Sequence, residues 1–137
     1  YTRAIFDESL RLYPPAPALQ RKAATSTTVG GLPLPAGALV LIGTYNLHRH
    51  PAFWRDPEQL MPERWLDGER PAARYAYLPF GAGPRACVGI HFASVEGPLL
   101  LALIGRRYDL HLAQERVEPQ LLVITTLRLC RGSAGRQ

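Results

Sequence analysis

The sequence has few cysteines and no apolar run long enough to cross a membrane. Only Cys87 and Cys130 occur among 137 residues, which is too few for a disulfide framework. We therefore predict a reducing compartment and assign the chain to the cytoplasm. The longest apolar run, residues 99–104, falls far short of the roughly 20 residues of a transmembrane helix. We expect no membrane span in this segment, and an anchor in a preceding part of the protein stays an open alternative.

Acidic residues are also scarce, with 11 against 16 basic ones, which gives a net charge of +5. A basic excess can favour nucleic acid or an acidic protein partner. The arginines are scattered, however, and Trp54 and Trp65 are not interleaved with basic residues as a base-stacking surface requires. We therefore expect no nucleic-acid partner. Apolar residues make up 47% of the chain, enough for a buried core.

Apolar spacing predicts two long helices. The first covers residues 2–12 and ends before Pro14, since proline disfavours helical geometry in the residue that precedes it. The second covers residues 90–108 and contains Pro98, which removes one backbone donor. No domain boundary is apparent between them.

Between and after these helices, turn residues and β-branched runs predict short strands and ordered loops. Residues 38–44 are apolar enough for a buried strand. Residues 48–64 contain three prolines and predict a loop with short helical turns. Residues 74–89 predict an ordered loop, and residues 121–129 a terminal hairpin. Taken together, the pattern predicts an α+β chain that is mostly helical.

A glycine-rich loop surrounds Cys87. A thiolate that binds a metal needs positive charge or N–H donors nearby, and the helix that follows Cys87 directs its positive end at the sulfur. A loop that presses against a flat macrocycle favours glycine. The loop contains Gly81, Gly83 and Gly89. Arg85 can reach a carboxylate on the edge of a cofactor, although a buried and inert cysteine is the competing explanation.

The spacing in this loop resembles the haem-binding signature of the cytochromes P450: Phe, two residues, Gly, any, Arg, any, Cys, any, Gly. Its fixed positions are filled by Phe80, Gly83, Arg85, Cys87 and Gly89. The continuation that is usual in the family is matched by Phe92, Ala93 and Glu96. The resemblance implies haem b (iron protoporphyrin IX) as the cofactor and Cys87 as the catalytic axial ligand of its iron. It also implies cofactor contacts from Phe80, Gly81, Gly83, Arg85 and Gly89.

Two further segments resemble motifs of the same family. Glu8 and Arg11 share a helix face and resemble its Glu-x-x-Arg motif, while residues 62–65 resemble the Pro-Glu-Arg segment. The resemblance implies a buried structural network of Glu8, Arg11 and Arg64. It also implies that Arg21 binds a haem propionate. The residues expected to form a substrate wall are Ala16, Pro17, Ala18 and Leu19.

The resemblance implies a fold and a domain assignment. The fold would be the C-terminal portion of the cytochrome P450 fold: the Glu-x-x-Arg helix, a small β-sheet, the cysteine ligand loop, the proximal helix and a terminal β-hairpin. Residues 1–137 would be the C-terminal part of a single domain, with the N-terminal part absent.

The implied function is that of a haem-thiolate monooxygenase. Such an enzyme uses O2 and two electrons to insert one oxygen atom into an organic, typically hydrophobic, substrate. The electron donor would be a ferredoxin, a flavodoxin or a reductase, attracted by basic residues near the loop. Those basic residues are Arg64, Arg70, Arg74 and Arg85, with the alternative that Arg64 and Arg85 are buried in the roles given above. The fragment alone would be inactive. The alternatives are a non-catalytic haem-binding fragment and a haem-thiolate isomerase or peroxygenase.

His48 and His50 lie near Asp56 and Glu58 in the sequence and invite comparison with a metal cluster. No two of the histidines have the helical spacing of a zinc site, and the prolines interrupt any helix. Residues 48–51 instead resemble a common loop of the same family, and we predict a structural role for them.

Overall fold

The computed structural model describes residues 1–66 and 73–111, together with the backbone of residues 118–123 and 126–130. The helices are α1 (Thr2–Leu12), α2 (Thr44–Leu47) and α3 (Ile90–Arg107). The strands are β1 (Leu19–Lys22), β2 (Thr27–Val29), β3 (Leu32–Leu34), β4 (Leu39–Ile42), β5 (Glu118–Val123) and β6 (Thr126–Cys130). Two 3-10 turns cover Pro62–Trp65 and Gly83–Arg85.

Helix α1 buries charged as well as apolar side chains. It ends at Leu12, and Tyr13 leaves the helical region with φ −128° and ψ 64°, as expected for a residue that precedes proline. The buried residues of α1 are Ala4, Glu8, Leu10, Arg11 and Leu12. Two of them carry full charges, so hydrophobic spacing alone underestimates how much of this helix is buried.

The strands form antiparallel pairs, which confirms the mixed fold predicted from the sequence. β1 pairs with β4, β2 with β3, and β5 with β6. The β2–β3 turn uses Gly30 and Gly31 at φ 55° and 82°, a region that favours glycine. The β5–β6 pair is the predicted terminal hairpin.

The prediction that residues 38–44 form a buried strand is wrong in one respect. Strand β4 is present, but Leu39 and Leu41 expose 66% and 60% of their surface. Among the described residues, β4 pairs only with β1, and the exposure of Leu39 and Leu41 shows that no described element packs over these side chains.

Helices α1 and α3 approach each other closely at Gly97. A Cβ atom at Gly97 would overlap the ring of Phe6, so only glycine allows this contact. Nearby, Nη1 of Arg3 donates to the carbonyl of Ser94 at 2.9 Å. The residue after Gly97 is Pro98, which lies within α3 as expected.

Much of the apolar surface of α3 is exposed in this chain. None of its residues is fully buried. Its exposed large apolar side chains are Phe92, Val95, Leu99, Leu100, Leu101, Leu103 and Ile104.

We predict that Gly97→Ala destabilises the full-length protein by about 1–3 kcal/mol, because the added methyl group forces Phe6 out of its position. The matched control is Gly105→Ala, since a Cβ at Gly105 meets no atom within 4 Å. This control should be neutral or gain up to about 1 kcal/mol from the better helix propensity of alanine. Equal melting temperatures for the two variants would contradict the close contact.

Candidate functional site

The carboxylate of Glu8 lies at the centre of a buried hydrogen-bond network. Arg11 binds it through two bonds, from Nε to Oε2 and from Nη2 to Oε1, both 2.9 Å long. Nε of Arg64 donates to Oε1 at 3.2 Å. The backbone N–H of Met61 donates to Oε1 at 3.0 Å, and Nε1 of Trp65 to Oε2 at 2.8 Å. Glu8, Arg11 and Arg64 therefore contact one another, as the resemblance implied.

The two guanidinium groups direct their remaining donors at backbone carbonyls. Nη1 of Arg11 donates to the carbonyls of His48 and Pro57 at 2.8 and 2.6 Å, and Nη2 donates to that of Gln59 at 3.0 Å. Nη1 of Arg64 donates to the carbonyl of Arg55 at 3.0 Å. These bonds compensate for the loss of hydration in a site where Arg11 has no exposed surface and Arg64 only 4%.

Burial and hydrogen bonding act in opposite directions on Glu8. Burial alone would raise the pKa of this carboxyl group, since it disfavours the charged form. The hydrogen bonds from Arg11, the Met61 amide and Trp65 outweigh burial, so the pKa of Glu8 lies below its usual value. Glu8 is therefore a carboxylate in the folded protein.

His48 connects this network to the segment that leads into the cysteine loop. Its Nδ1 lies 3.2 Å from the carbonyl oxygen of Arg11, and its Nε2 accepts a hydrogen bond from the N–H of Leu78 at 2.8 Å. A neutral ring with its proton on Nδ1 satisfies both bonds. The side chain of His48 is fully buried, and this burial, together with the nearby charges of Arg11 and Arg49, lowers its pKa to about 4.

The histidines at 48 and 50 do not form part of a metal centre in the described part of the chain. No three His, Cys, Asp or Glu side chains among residues 1–66 and 73–111 lie close enough together to hold a metal ion. Nδ1 of His50 instead accepts a hydrogen bond from the N–H of Ala52 at 3.2 Å.

Backbone hydrogen bonds give the cysteine loop a defined shape. The N–H of Gly81 donates to the carbonyl of Leu78 at 3.1 Å, and the N–H of Cys87 donates to that of Phe80 at 2.8 Å. Gly81 and Gly83 both adopt φ +70°, which explains why glycine is needed at these positions. The loop thus returns Cys87 to Phe80, immediately before α3 begins.

The sulfur of Cys87 is presented at an open surface. Cys87 is exposed, and a Cβ atom at Gly89 would lie 3.7 Å from its Sγ. Val88, the next residue in the chain, exposes 99% of its surface, and Phe92 in the first turn of α3 exposes 70%. A soft sulfur donor bordered by glycine backbone and apolar side chains fits a flat, apolar cofactor that contains iron.

The two arginines predicted to bind propionates are both exposed. Nη1 of Arg21 donates to the carbonyl of Gln20 at 2.8 Å. In the described part of the chain, no carboxylate lies within ion-pair distance of Arg21 or Arg85. Both guanidinium groups are therefore suited to carboxylates of a bound molecule.

Helix α2 forms hydrogen bonds to the backbone of the predicted substrate wall. Oγ1 of Thr44 donates to the carbonyl of Ala16 at 2.5 Å, and the N–H of Tyr45 donates to that of Pro17 at 3.0 Å. Pro17 is buried, whereas Ala16, Ala18 and Leu19 remain partly exposed. Cδ1 of Leu19 lies 3.6 Å from the position of a Cβ at Gly81, so this wall borders the cysteine loop.

The roles of Trp65 and Tyr77 were not predicted from the sequence, and for His48 only a structural role was predicted, without its contacts. Trp65 donates to Glu8, His48 links Arg11 to Leu78, and Tyr77 donates from its hydroxyl group to the carbonyl of Asp7 at 3.0 Å. Trp65 follows the Pro-Glu-Arg segment, and its indole N–H is the only signal that could have indicated its role. The partners of His48 and Tyr77 lie far away in the sequence.

Comparison with known proteins identifies the family. The model of the cytochrome P450 family matches residues 1–128, so the chain belongs to the cytochrome P450 family. It is 43% identical over 136 residues to Protein LUTEIN DEFICIENT 5, chloroplastic, of Arabidopsis thaliana, covering 96% of this chain and 23% of the relative. It is 44% identical over 111 residues to a cyclooctat-9-en-7-ol 5-monooxygenase of Streptomyces melanosporofaciens, covering 80% and 24%. The chain thus spans about a quarter of the length of these relatives.

Solved structures share the fold. The haem domain of cytochrome P450DA superposes with a TM-score of 0.79 at 30% identity, covering 95% of this chain and 31% of that structure. A six-coordinated cytochrome P450 from Thermus thermophilus gives a TM-score of 0.77 at 36% identity, covering 93% and 34%. The predicted fold class is therefore confirmed. None of the described helices is long and apolar enough to cross a membrane.

We predict that Glu8→Gln destabilises the full-length protein by roughly 3–5 kcal/mol, because the change leaves two buried guanidinium groups without their counter-charge. The control is Glu58→Gln, which removes a carboxylate that is 72% exposed and pairs with Arg49. It should cost at most about 1 kcal/mol. Melting temperatures and haem content report the difference, and a normal melting temperature for Glu8→Gln would contradict a buried network.

The lowered pKa of His48 predicts that the free energy of unfolding decreases as the pH is lowered from about 6.5 to about 4. The unfolded state takes up a proton near pH 6.5 and the folded state only near pH 4. The contribution of neutral His48 is therefore complete above pH 6.5 and is lost as the pH falls towards 4, by up to roughly 3 kcal/mol. The groups that face His48 are Arg11, Arg49 and the ring of Tyr77.

The measurement is the melting temperature of the full-length protein between pH 6.5 and 4.5, compared with that of His48→Gln. The variant should be less stable at pH 7 but should lose less stability as the pH falls. Parallel curves for the two proteins would show that His48 takes up its proton equally in both states.

Proposed function

We propose that Cys87 is the axial ligand of a haem iron and that the full-length protein is a haem-thiolate monooxygenase. The observation that carries this proposal is the exposed sulfur of Cys87, which lies at the start of α3 in a glycine loop that matches the signature of the family. A bound haem b would supply the redox-active iron, and a thiolate ligand donates electron density that favours O–O bond cleavage. The contribution of this chain is to hold and orient that ligand.

Several residues of the loop are suited to bind the cofactor. The N–H of Cys87 is already bonded to Phe80, so the loop holds the sulfur without help from the metal. Gly81, Gly83 and Gly89 would let a porphyrin approach the backbone closely. The guanidinium groups of Arg85 and Arg21 would pair with the propionates, as arginine does with carboxylates elsewhere.

The buried network of Glu8, Arg11 and Arg64 would stabilise the cysteine loop and would take no part in the reaction. Glu8, Arg11 and Arg64 are buried and do not share the exposed surface of Cys87. Their role would be to fix the core behind the cysteine loop, and removal of one charge would leave the others unpaired.

We also propose that residues 1–137 form the C-terminal part of a single cytochrome P450 domain. The exposed apolar face of α3 supports this, since monomeric proteins seldom leave so large an apolar surface in water. The rest of the domain would cover this face and the second side of the haem. A cytoplasmic location stays a prediction, and the relative from Arabidopsis is named as chloroplastic.

The proposed partners are a small hydrophobic substrate, O2 and an electron-donor protein such as a ferredoxin, a flavodoxin or a reductase. The part-exposed side chains of Ala16, Ala18 and Leu19 are apolar and suit such a substrate. Of the basic residues expected to attract the donor, Arg74 and Arg85 are exposed. Arg64 is 4% exposed and already bonded to Glu8, so it is not available to a partner. Arg70 lies outside the described residues.

The reduced carbonyl complex of the full-length protein tests the ligand. Wild type should show the red-shifted Soret band of thiolate ligation, and Cys87→His should abolish that band because imidazole is a neutral ligand. Cys130→Ser should retain it. An unchanged band in Cys87→His would refute the assignment.

A turnover assay of the full-length protein separates the alternatives. A monooxygenase should oxidise substrate only with O2 and an electron donor, whereas turnover with peroxide alone or rearrangement without electrons indicates a peroxygenase or an isomerase. Residues 1–137 alone should bind haemin weakly and turn over nothing. A monomeric, stably haem-loaded and active fragment would contradict the domain proposal.

A further inference from the structure

His48 lies between helix α1 and the segment that enters the cysteine loop. One ring nitrogen contacts the carbonyl of Arg11, the last charged residue of α1, at 3.2 Å. The other accepts the N–H of Leu78 at 2.8 Å. The residue has no exposed surface, so water cannot replace either bond. We call this pair of hydrogen bonds the His48 bridge.

The His48 bridge continues to Cys87 through backbone bonds. Leu78 is held through both of its backbone polar groups, since its N–H binds His48 and its carbonyl accepts the N–H of Gly81 at 3.1 Å. Gly81 is the first residue with positive φ in the loop. The carbonyl of Phe80, between Leu78 and Gly81 in the chain, accepts the N–H of Cys87 at 2.8 Å. These hydrogen bonds connect the backbone of Leu78 to that of Cys87.

The chemistry of the His48 bridge requires a group that donates at one atom and accepts at another. Neutral imidazole does so on a rigid ring. The ring is also held by Tyr77, whose centroid lies 5.3 Å away. Nε2 of the buried His48 ring accepts the N–H of the half-buried Leu78. An N–H that loses its acceptor in such a place is costly, so a side chain without an acceptor at the Nε2 position would release Leu78.

We propose that His48 is a positioning residue for Cys87, and that its hydrogen bond to Leu78 sets the geometry in which the sulfur binds iron. This inference rests on the proposed function of Cys87 as the ligand. The bond to Arg11 orients the ring, and the bond to Leu78 transmits that orientation to the loop.

Two variants separate the two halves of the bridge. The amide oxygen of Gln can occupy about the position of Nε2, so His48→Gln can retain the bond to Leu78 and lose the one to Arg11. The amide nitrogen of Asn can occupy about the position of Nδ1, so His48→Asn can retain the bond to Arg11 and lose the one to Leu78. Tyr77→Phe is the matched control, because it removes the hydrogen bond of the adjacent residue to Asp7 and leaves the bridge intact.

The first readout is amide hydrogen exchange at Leu78 in the full-length protein as purified, with its cofactor bound. Exchange should be about tenfold faster in His48→Asn than in wild type, as expected for the loss of one hydrogen bond. It should be close to the wild-type rate in His48→Gln and in Tyr77→Phe. Equal exchange in the Asn and Gln variants would overturn the proposal.

The second readout is the fraction of the reduced carbonyl complex that carries the red-shifted Soret band, measured at equal haem loading. His48→Asn should lose at least half of this fraction, while His48→Gln and Tyr77→Phe should keep it. If the loss of the red-shifted fraction is simply proportional to the decrease in melting temperature across the three variants, the proposal is overturned. A wild type that lacks the band refutes the proposed function instead, and the exchange rates then still test the His48 bridge.

The tautomer of His48 in the wild-type protein provides a test that needs no variant. Nitrogen-15 spectra of the full-length protein should show the proton on Nδ1 and a bare Nε2 at pH 7. A proton on Nε2 is incompatible with the bond from Leu78 and would overturn the proposal even if both variants fail to fold.

Discussion

The structure depends on how the buried carboxylate of Glu8 is compensated. A carboxylate removed from water is tolerated only when hydrogen bonds and opposite charge replace its hydration. Glu8 receives two bonds from Arg11 and one each from Arg64, Met61 and Trp65. These donors come from the same helix, from the 3-10 turn at Pro62–Trp65 and from the loop before it. The need to satisfy one carboxyl group therefore brings distant parts of the chain together.

The buried charge network is also connected to the cysteine loop by hydrogen bonds. The guanidinium group of Arg11 binds the carbonyl of His48, and the carbonyl of Arg11 accepts from the ring of His48. Through Leu78, this arrangement meets the backbone bonds that hold Cys87. The buried network of Glu8, Arg11 and Arg64 is thus connected by hydrogen bonds to the loop that presents the exposed Cys87. Under the proposed function, this chain would hold the sulfur ligand in place, and the haem and the substrate would bind on the exposed side.

The sequence predicted the features that depend on nearby residues. Glu8 and Arg11 are one helical turn apart, and the cysteine loop is defined by spacing within ten residues, so both could be recognised directly. The helices α1 and α3 and the terminal hairpin were also predicted correctly. The overlap of a Cβ at Gly97 with Phe6, the link from His48 to Leu78 and the exposure of β4 were not. Each depends on which distant element packs against a residue, and local patterns do not contain that information.

The most direct test of the account is the set of atoms bound to iron in the full-length protein, measured by X-ray absorption at the iron edge. The account predicts one sulfur ligand in addition to the nitrogen atoms of the porphyrin, and the loss of that sulfur in Cys87→Ser. A wild-type spectrum with only nitrogen and oxygen ligands would contradict it, as would a sulfur ligand that persists in Cys87→Ser.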